Sequence, residues 1–272
     1  YVSPLPEGHR FPMPKFAMIH DYLLELGLLS PSSSLRPAPV SREALELVHT
    51  RGYVDAFLTG GLSEKAVRRI GLPWSEALVN RTLTALGGTI LTARTALERG
   101  VATNSAGGTH HAHPAFGSGF CILNDLAVTA RLLLEEGAVR RLLIVDLDVH
   151  QGDGTAVALA DRPELFTFSM HCGSNFPFRK AESDLDVTLP DGMGDEAYLR
   201  ELRRRLPGLI ETHKPDLILY DAGVDVHDGD RLGRLSLTAE GIYRRDRLVL
   251  DLALEREVPI ATVIGGGYDR DL

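Results

Sequence analysis

Cysteine is nearly absent: only Cys121 and Cys172 occur in 272 residues. They form no C-x-x-C pair and no even framework of a small secreted domain, so a disulfide scaffold is excluded and a reducing compartment is the default. No apolar run reaches the roughly 18 residues needed to span a membrane, and no secretory leader is visible. Positive charge is not in excess either. Lys and Arg total 29 against 37 Asp and Glu, a net charge of -8. A protein held by nucleic-acid phosphates carries a basic footprint, so direct nucleic-acid binding is not expected. The short basic run Arg203–Arg205 reads as a solvated helix face. Internal repeats and low-complexity linkers are also missing. What remains is ordinary globular composition, 44% hydrophobic and 24% charged, enough for a sizeable core. One domain over residues 1–272 is expected. The chain starts at Tyr1 rather than Met and stops four residues after Tyr268, so the expectation is a domain clipped at both ends.

Apolar runs alternate with helical patterns through the second half. The runs are Leu142–Asp146, Leu165–Met170, Leu217–Tyr220 and Ile260–Ile264. The helical patterns between them cover Asn124–Glu136, Glu196–His213 and Thr238–Glu257. Such alternation predicts a parallel sheet with helical crossovers. Earlier helices are expected over Lys15–Leu29, from Ser41, and over Ser75–Arg99, opened by Ser75 and closed by Gly100. The proline-rich start and the Ser/Pro-rich stretch Pro31–Pro39 read as loops.

The polar motifs fall after the apolar runs, where open α/β sheets gather their chemistry. The first is LLIVDLDVHQGDGT, residues 142–155. Period-2 alternation predicts Asp146, Asp148 and His150 on one side of a strand end. Three such groups on one face of a core strand need compensation. A divalent cation supplies it, and an Asp-x-His pair suits zinc or ferrous iron. The second is Gly107-Gly-Thr-His110-His111, two imidazoles behind a glycine pair. Gly119-Phe120-Cys121-x-x-Asn124-Asp125 follows; Phe120 is a candidate channel lining and Cys121 a small buried hydrophobe. His113 lacks comparable context and reads as exposed or as a residue behind the site. Asp225, after another apolar run, completes an Asp/His/Asp set, and three ligands leave a position open for water. Gly265-Gly-Gly-Tyr268 places a phenol on a glycine turn.

Taken in this order, GGTHHA (107–112), GFCxxND (119–125), DLDVHQGDG (146–154), GVD…GDRLG (223–233) and GGGY (265–268) resemble the zinc-dependent histone deacetylase family of the arginase/deacetylase superfamily, nearest its class IV and bacterial members. The resemblance implies a three-layer α/β/α fold with a mainly parallel sheet of about eight strands. It implies zinc on Asp148, His150 and Asp225, and a catalytic dyad of His110 and His111, oriented by Asp146 and Asp153. Tyr268 matches the tyrosine that binds the substrate carbonyl. Phe120 and Phe176, with Gly119 beside them, match the walls of an acyl-lysine tunnel, and Leu232 its rim. Arg10 matches an arginine near an acetate exit route. Potassium beside the zinc is implied on Asp146, main-chain oxygens of Asp148 and His150, and Ser169. Gln151 stands where many members carry a second histidine, and HCGSNFPFR (171–179) departs from the family's rim pattern, which leaves the substrate open.

The chemistry so implied is amide hydrolysis of an acyl-lysine by metal-activated water. The rivals are a binuclear manganese ureohydrolase, a non-catalytic acyl-lysine binding module, and a deacetylase of acetylpolyamines or another small acylated amine. The first needs more carboxylates than Asp148-Val-His150-Gln-Gly supplies; Tyr268 and both dyad histidines count against the second. A cytoplasmic, bacterial protein of unspecified oligomeric state is expected.

Overall fold

A computed structural model describes residues 1–30 and 32–269. Pro31, the first residue of the expected connector, lies outside the described residues. In chain order the elements are α1 (Lys15–Glu25), α2 (Arg42–Glu46), α3 (Arg51–Leu58), α4 (Glu64–Ile70), α5 (Glu76–Arg99), β1 (Val101–Asn104), α6 (Asp125–Glu135), β2 (Leu142–Asp146), α7 (Asp153–Leu159), β3 (Leu165–Cys172), β4 (Leu185–Leu189), α8 (Asp195–His213), β5 (Leu217–Asp221), α9 (Ala239–Glu255) and β6 (Ile260–Val263). The strands form one parallel sheet in the order β1-β6-β5-β2-β3-β4.

The inner strands are mostly apolar because both faces are covered; the polar residues of β3, Thr167, Ser169 and His171, are buried as well. On β2, Leu142 and Ile144 pack with Ala93 and Ala96 of α5 and Leu126 and Leu133 of α6. Leu143 and Val145 point the other way, into a cluster with Tyr198, Leu202 and Leu206 of α8 and Val249 of α9. β5 repeats the pattern, Leu217 and Leu219 to one side, Ile218 and Tyr220 to the other. Each strand's period of two feeds two cores, which gives the expected three layers.

The sheet differs in number from the expectation: six strands are present among the described residues, against about eight. β1 and β4 are the two not anticipated. Both are edge strands, four and five residues long, with partly exposed residues in place of a buried run. Short, half-polar edges carry little hydrophobic signal. α3, α4 and α7 are likewise short and were not anticipated. Ser75 caps α5 as read, accepting from Leu78 N–H; Asn124 caps α6 from Ala127 N–H and Thr238 caps α9 from Gly241 N–H.

The N-terminal helices build a third cluster, with Phe11, Phe16, Tyr53 and Phe57 packed around Tyr268. Its polar joint is His49, which is 2% exposed. The His49 Nδ1–H donates to His113 O (3.2 Å) and Nε2 accepts from Asn124 N–H (2.9 Å). Burial pushes this imidazole down to about 4. The folded state therefore favours neutral His49: its contribution is complete above the unfolded value near 6.5 and is lost as pH falls from 6.5 to about 4. Between pH 7.5 and pH 5 it amounts to about 2 kcal/mol. His49→Gln should remove that component, so urea midpoints at the two pH values lie closer together than in the parent. An undiminished gap would show that other groups carry the acid sensitivity.

Candidate active site and metal centre

β2 and β5 are neighbours, and each ends in a carboxylate, Asp146 in register with Asp221. Beyond these ends the chain leaves strand geometry. Asp148 and His150 sit on irregular turns and not, as alternation suggested, on the strand itself. Turning brings their functional atoms together. His150 Nδ1 lies 2.9 Å from Asp148 Oδ1 and 3.1 Å from Asp225 Oδ2. Those separations are roughly what neighbouring ligand atoms show around one ion with bonds of about 2 Å. All three side chains are buried, Asp225 completely. Backbone donors also brace the set, Val149 N–H to Asp225 Oδ1 and His150 N–H to Asp148 Oδ1 (2.9 Å each). Burial and the neighbouring Asp148 push Asp225 up to about 7. Burial opposes the His150 charge, yet Asp148 and Asp225 lift it to about 10. An O,N,O donor set with this electrostatic tension fits one divalent ion.

The glycine turn after β6 closes over this set. Gly266 N–H donates to Asp148 Oδ2 (2.8 Å). A Cβ at Gly266 would meet Asp225 Oδ2 at 2.1 Å and Asp148 Oδ2 at 2.6 Å, so only glycine allows this approach. The GGTHH loop is held from α6. Asp125 accepts from the backbone N–H of Gly108 (3.1 Å) and Thr109 (2.7 Å), and from both Thr89 and Thr109 hydroxyls (2.6 Å each). Asn124 Nδ2 donates to Ala112 O (3.1 Å).

So braced, the two histidines take different partners. His110 Nδ1 pairs with Asp146 Oδ2 at 2.8 Å, with Asp221 Oδ2 3.7 Å away. Burial disfavours its charge, but Asp146, Asp148 and Asp221 together raise it well above the usual imidazole value. His111 Nδ1 pairs with Asp153 Oδ1 at 2.6 Å. Burial, then the adjacent His110 cation, push His111 down to about 4 despite Asp153. Burial and partners thus push the two imidazoles in opposite directions, His110 up and His111 down. His113 is half-buried and holds Asp153 Oδ2 at 2.9 Å, so it stands behind the dyad.

The walls are aromatic. The Phe176 ring meets the His111 ring edge-on, 4.9 Å between centroids. Phe120 lies 5.8 Å from Tyr268 and 5.3 Å from Phe11. Gly119 carries φ 52°, and a Cβ there would sit 2.8 Å from His111 and 3.1 Å from Phe176. Leu232 is partly buried, and its carbonyl accepts from Asn175 Nδ2 (2.6 Å). Tyr268 is clamped through its backbone, N–H to Asp230 Oδ2 (2.6 Å) and C=O from Arg231 Nε (2.8 Å). Its hydroxyl bonds to no described residue. Burial, with Asp148 and Asp225 nearby, raises the phenol well above its usual value, so the proton stays. Cys121 is buried, with its thiol pushed up to about 12 by burial, which removes it as a nucleophile.

Ser169 is in register with Asp146 on the adjacent strand, and its hydroxyl pairs with His171 Nδ1 (2.9 Å). Gln151 turns away from the ligands and bonds Asp186 Oδ1 (2.8 Å) and Ala181 O (2.9 Å). Arg10 is exposed on the surface loop. The cation that enters the interior here is Lys15, five residues on, because the loop folds Lys15 beneath Phe11 and Phe16 and leaves Arg10 in water. Lys15 Nζ donates to Gly265 O (3.1 Å) and Gly267 O (3.4 Å) and lies 5.5 Å from the Tyr268 ring centroid. Lys15→Met should orphan both carbonyls, cost about 1–3 kcal/mol, and loosen the Tyr268 turn. Lys15→Arg should restore most of the urea midpoint and the turnover; equal midpoints for all three proteins would remove Lys15 from this role.

Two site residues escaped the sequence reading. Lys15 had a signal, a cation amid PMPKF in an apolar segment. Asp221 had one too, since LILYD ends as LLIVD does. Asp221 is fully buried, with neither oxygen partnered among the described residues. Burial and the neighbouring Asp146 raise it well above the carboxylate range.

Comparison with known proteins agrees with this geometry. The histone deacetylase domain family matches residues 9–272. An uncharacterized protein of Picosynechococcus sp. is 58% identical over the whole chain, which covers 91% of that protein. Histone deacetylase 2 of Arabidopsis thaliana is 30% identical over 96% of the chain and 70% of its own length. Acetoin utilization protein AcuC of Staphylococcus aureus is 31% identical over 97% and 73%. A solved histone deacetylase homolog in complex with SAHA superposes with a TM-score of 0.85 at 27% identity, over 97% of this chain and 76% of that one. With a family match across nearly its whole length, and with the fold and the buried Asp/His cluster in place, the chain belongs to the histone deacetylase family of deacetylase hydrolases.

Proposed function

We propose that residues 1–272 form one catalytic domain that removes acetyl or longer acyl groups from lysine side chains of proteins, with zinc on Asp148, His150 and Asp225. The observation that carries the reading is the pairing of a buried Asp/His/Asp set with a protonated Tyr268 whose hydroxyl has no partner among the described residues. When bound, the ion supplies Lewis-acid activation of the amide carbonyl and of water. The chain's own groups do the rest. His111, neutral and held by Asp153, takes the proton from water at Nε2 and returns it to the leaving lysine amine. His110, held charged by Asp146, adds positive field where negative charge develops on the carbonyl oxygen. The Tyr268 hydroxyl donates a hydrogen bond to that oxygen. Phe120 and Phe176 flank the apolar stem of the lysine and Leu232 edges the entrance. Potassium on Asp146, Ser169 and the main-chain oxygens of Asp148 and His150 would offset the carboxylates behind the dyad.

The departure of HCGSNFPFR (171–179) from the family's rim pattern leaves room for a second reading, a small acylated amine in the same tunnel. One experiment separates the two. Acetyl-, crotonyl- and long-chain acyl-lysine peptides are offered alongside an acetylpolyamine, with added zinc and with a chelator. Chelator-sensitive turnover that favours peptides supports the first reading. Turnover of the polyamine alone supports the second. No turnover of either by a zinc-loaded chain would defeat both and revive the binding module.

A further inference from the structure

Arg245 on α9 is completely buried. Its guanidinium bonds three main-chain carbonyls: Nη1 donates to Gly223 O (2.7 Å) and Leu147 O (3.2 Å), and Nη2 to Ala222 O (3.1 Å). The third nitrogen, Nε, donates to Asp246 Oδ1 (2.8 Å), which also accepts the Tyr220 hydroxyl (2.6 Å). Leu147 immediately precedes Asp148, and Gly223 lies two residues before Asp225. The carbonyls therefore come from the two segments that carry the carboxylates of the Asp/His/Asp set, just past the ends of β2 and β5.

Past those ends one more backbone bond, Leu147 N–H to Asp221 O (3.1 Å), joins the two segments before the pairing stops. Three carbonyl oxygens turned toward one point repel each other and cannot bond among themselves. A planar guanidinium with five N–H donors joins them; an ammonium, with three donors on one atom, cannot span the same spread. The fixed positive charge also lies behind two buried carboxylates that repel each other across the ligand set. Burial opposes the charge of Arg245, and the Asp246 carboxylate beside Nε offsets that cost.

We propose that Arg245 is a positioning residue for the metal ligands: it ties the Asp148 and Asp225 segments together and holds both carboxylates ready for the ion. The inference rests on the zinc reading above. It extends that reading from the ligand set to a group that touches no ligand side chain and no substrate.

The test measures zinc affinity by competition with a calibrated chelator on the parent, Asp225→Asn, Arg245→Met and Arg245→Lys. Thermal melts with and without zinc accompany it. The parent should bind one zinc and Asp225→Asn should not; parent-like binding by Asp225→Asn would defeat the ligand assignment itself. With that assignment standing, Arg245→Met should weaken zinc by about 10–100-fold, the usual effect of losing a group that orients ligands. Arg245→Lys, which keeps the charge and loses the fork, should fall between the two. The melting rise on adding zinc should shrink in the same order. Unchanged affinity in both Arg245 variants, with melting lowered equally in zinc-free and zinc-bound forms, would make Arg245 a structural brace only and overturn the proposal. If Arg245→Met does not fold, Arg245→Lys decides alone: weaker zinc binding at parent-like helicity supports the role, and parent-like affinity overturns it.

Discussion

Asp225→Asn should leave a folded protein that binds no zinc and hydrolyses no acyl-lysine above background. Asp225 is one of the three side chains of the proposed ligand set, and no fourth described carboxylate or imidazole belongs to that cluster. Losing the ion forfeits several kcal/mol of transition-state charge stabilisation, about three or more orders of magnitude in turnover. The fold should not suffer. Asn keeps the shape and the oxygen that accepts Val149 N–H (2.9 Å), and it removes one of two carboxylates that repel each other in the interior. The zinc-free melting temperature should therefore equal or exceed that of the zinc-free parent. Metal content by elemental analysis, turnover and a zinc-free melt are the three readings. Full turnover with one zinc per chain would remove Asp225 from the ligand set, and with it the mononuclear site.

Tyr268→Phe should lower turnover by about 10²–10³, the usual cost of one donor to a developing oxyanion, while zinc content stays at the parent level. The separation of the two effects follows from how the residue is held. The Tyr268 backbone is fixed by Asp230 and Arg231, and the ring packs against Phe11 and Phe120. None of these contacts uses the hydroxyl, so its loss should leave the urea midpoint nearly unchanged. KM should move less than kcat, because the bond strengthens as charge builds on the carbonyl oxygen. Unimpaired hydrolysis by Tyr268→Phe would show that the oxyanion is stabilised elsewhere. A parallel loss of zinc would show that the phenol acts on the metal site instead.

The buried strands β2, β3, β5 and β6 were legible because a doubly covered strand is apolar along most of its length. The bounds of β2 match the apolar run residue for residue. The edge strands β1 and β4 were not, since one open flank relaxes that demand. Site residues followed the same division. Asp148, His150 and Asp225 stood out because ionisable groups next to core strands need compensation. Asp221 needs it as much, but the apolar run reads as ending at Tyr220, and Asp221 carries no role in that reading. Lys15 and Arg245 were hidden for another reason: their partners are main-chain carbonyls, at sequence separations of 250 and 252 residues for Lys15 and 22 to 98 for Arg245. Carbonyls carry no signature in a sequence.

The sequence by itself determined the parallel α/β class, the absence of a disulfide scaffold and the chemical types at the site. These depend on composition and on local period, which a chain displays without folding. Tertiary structure alone decided which histidine is pushed toward its charged form and which away from it. His110 and His111 are adjacent and identical in kind, yet one lies within 4 Å of three carboxylates and the other faces Asp153 beside the His110 cation. It also decided that Lys15, and not Arg10, enters the interior, and that one buried guanidinium braces both ligand segments. Those outcomes depend on distances between residues far apart in the chain, and on the low dielectric that burial creates around them.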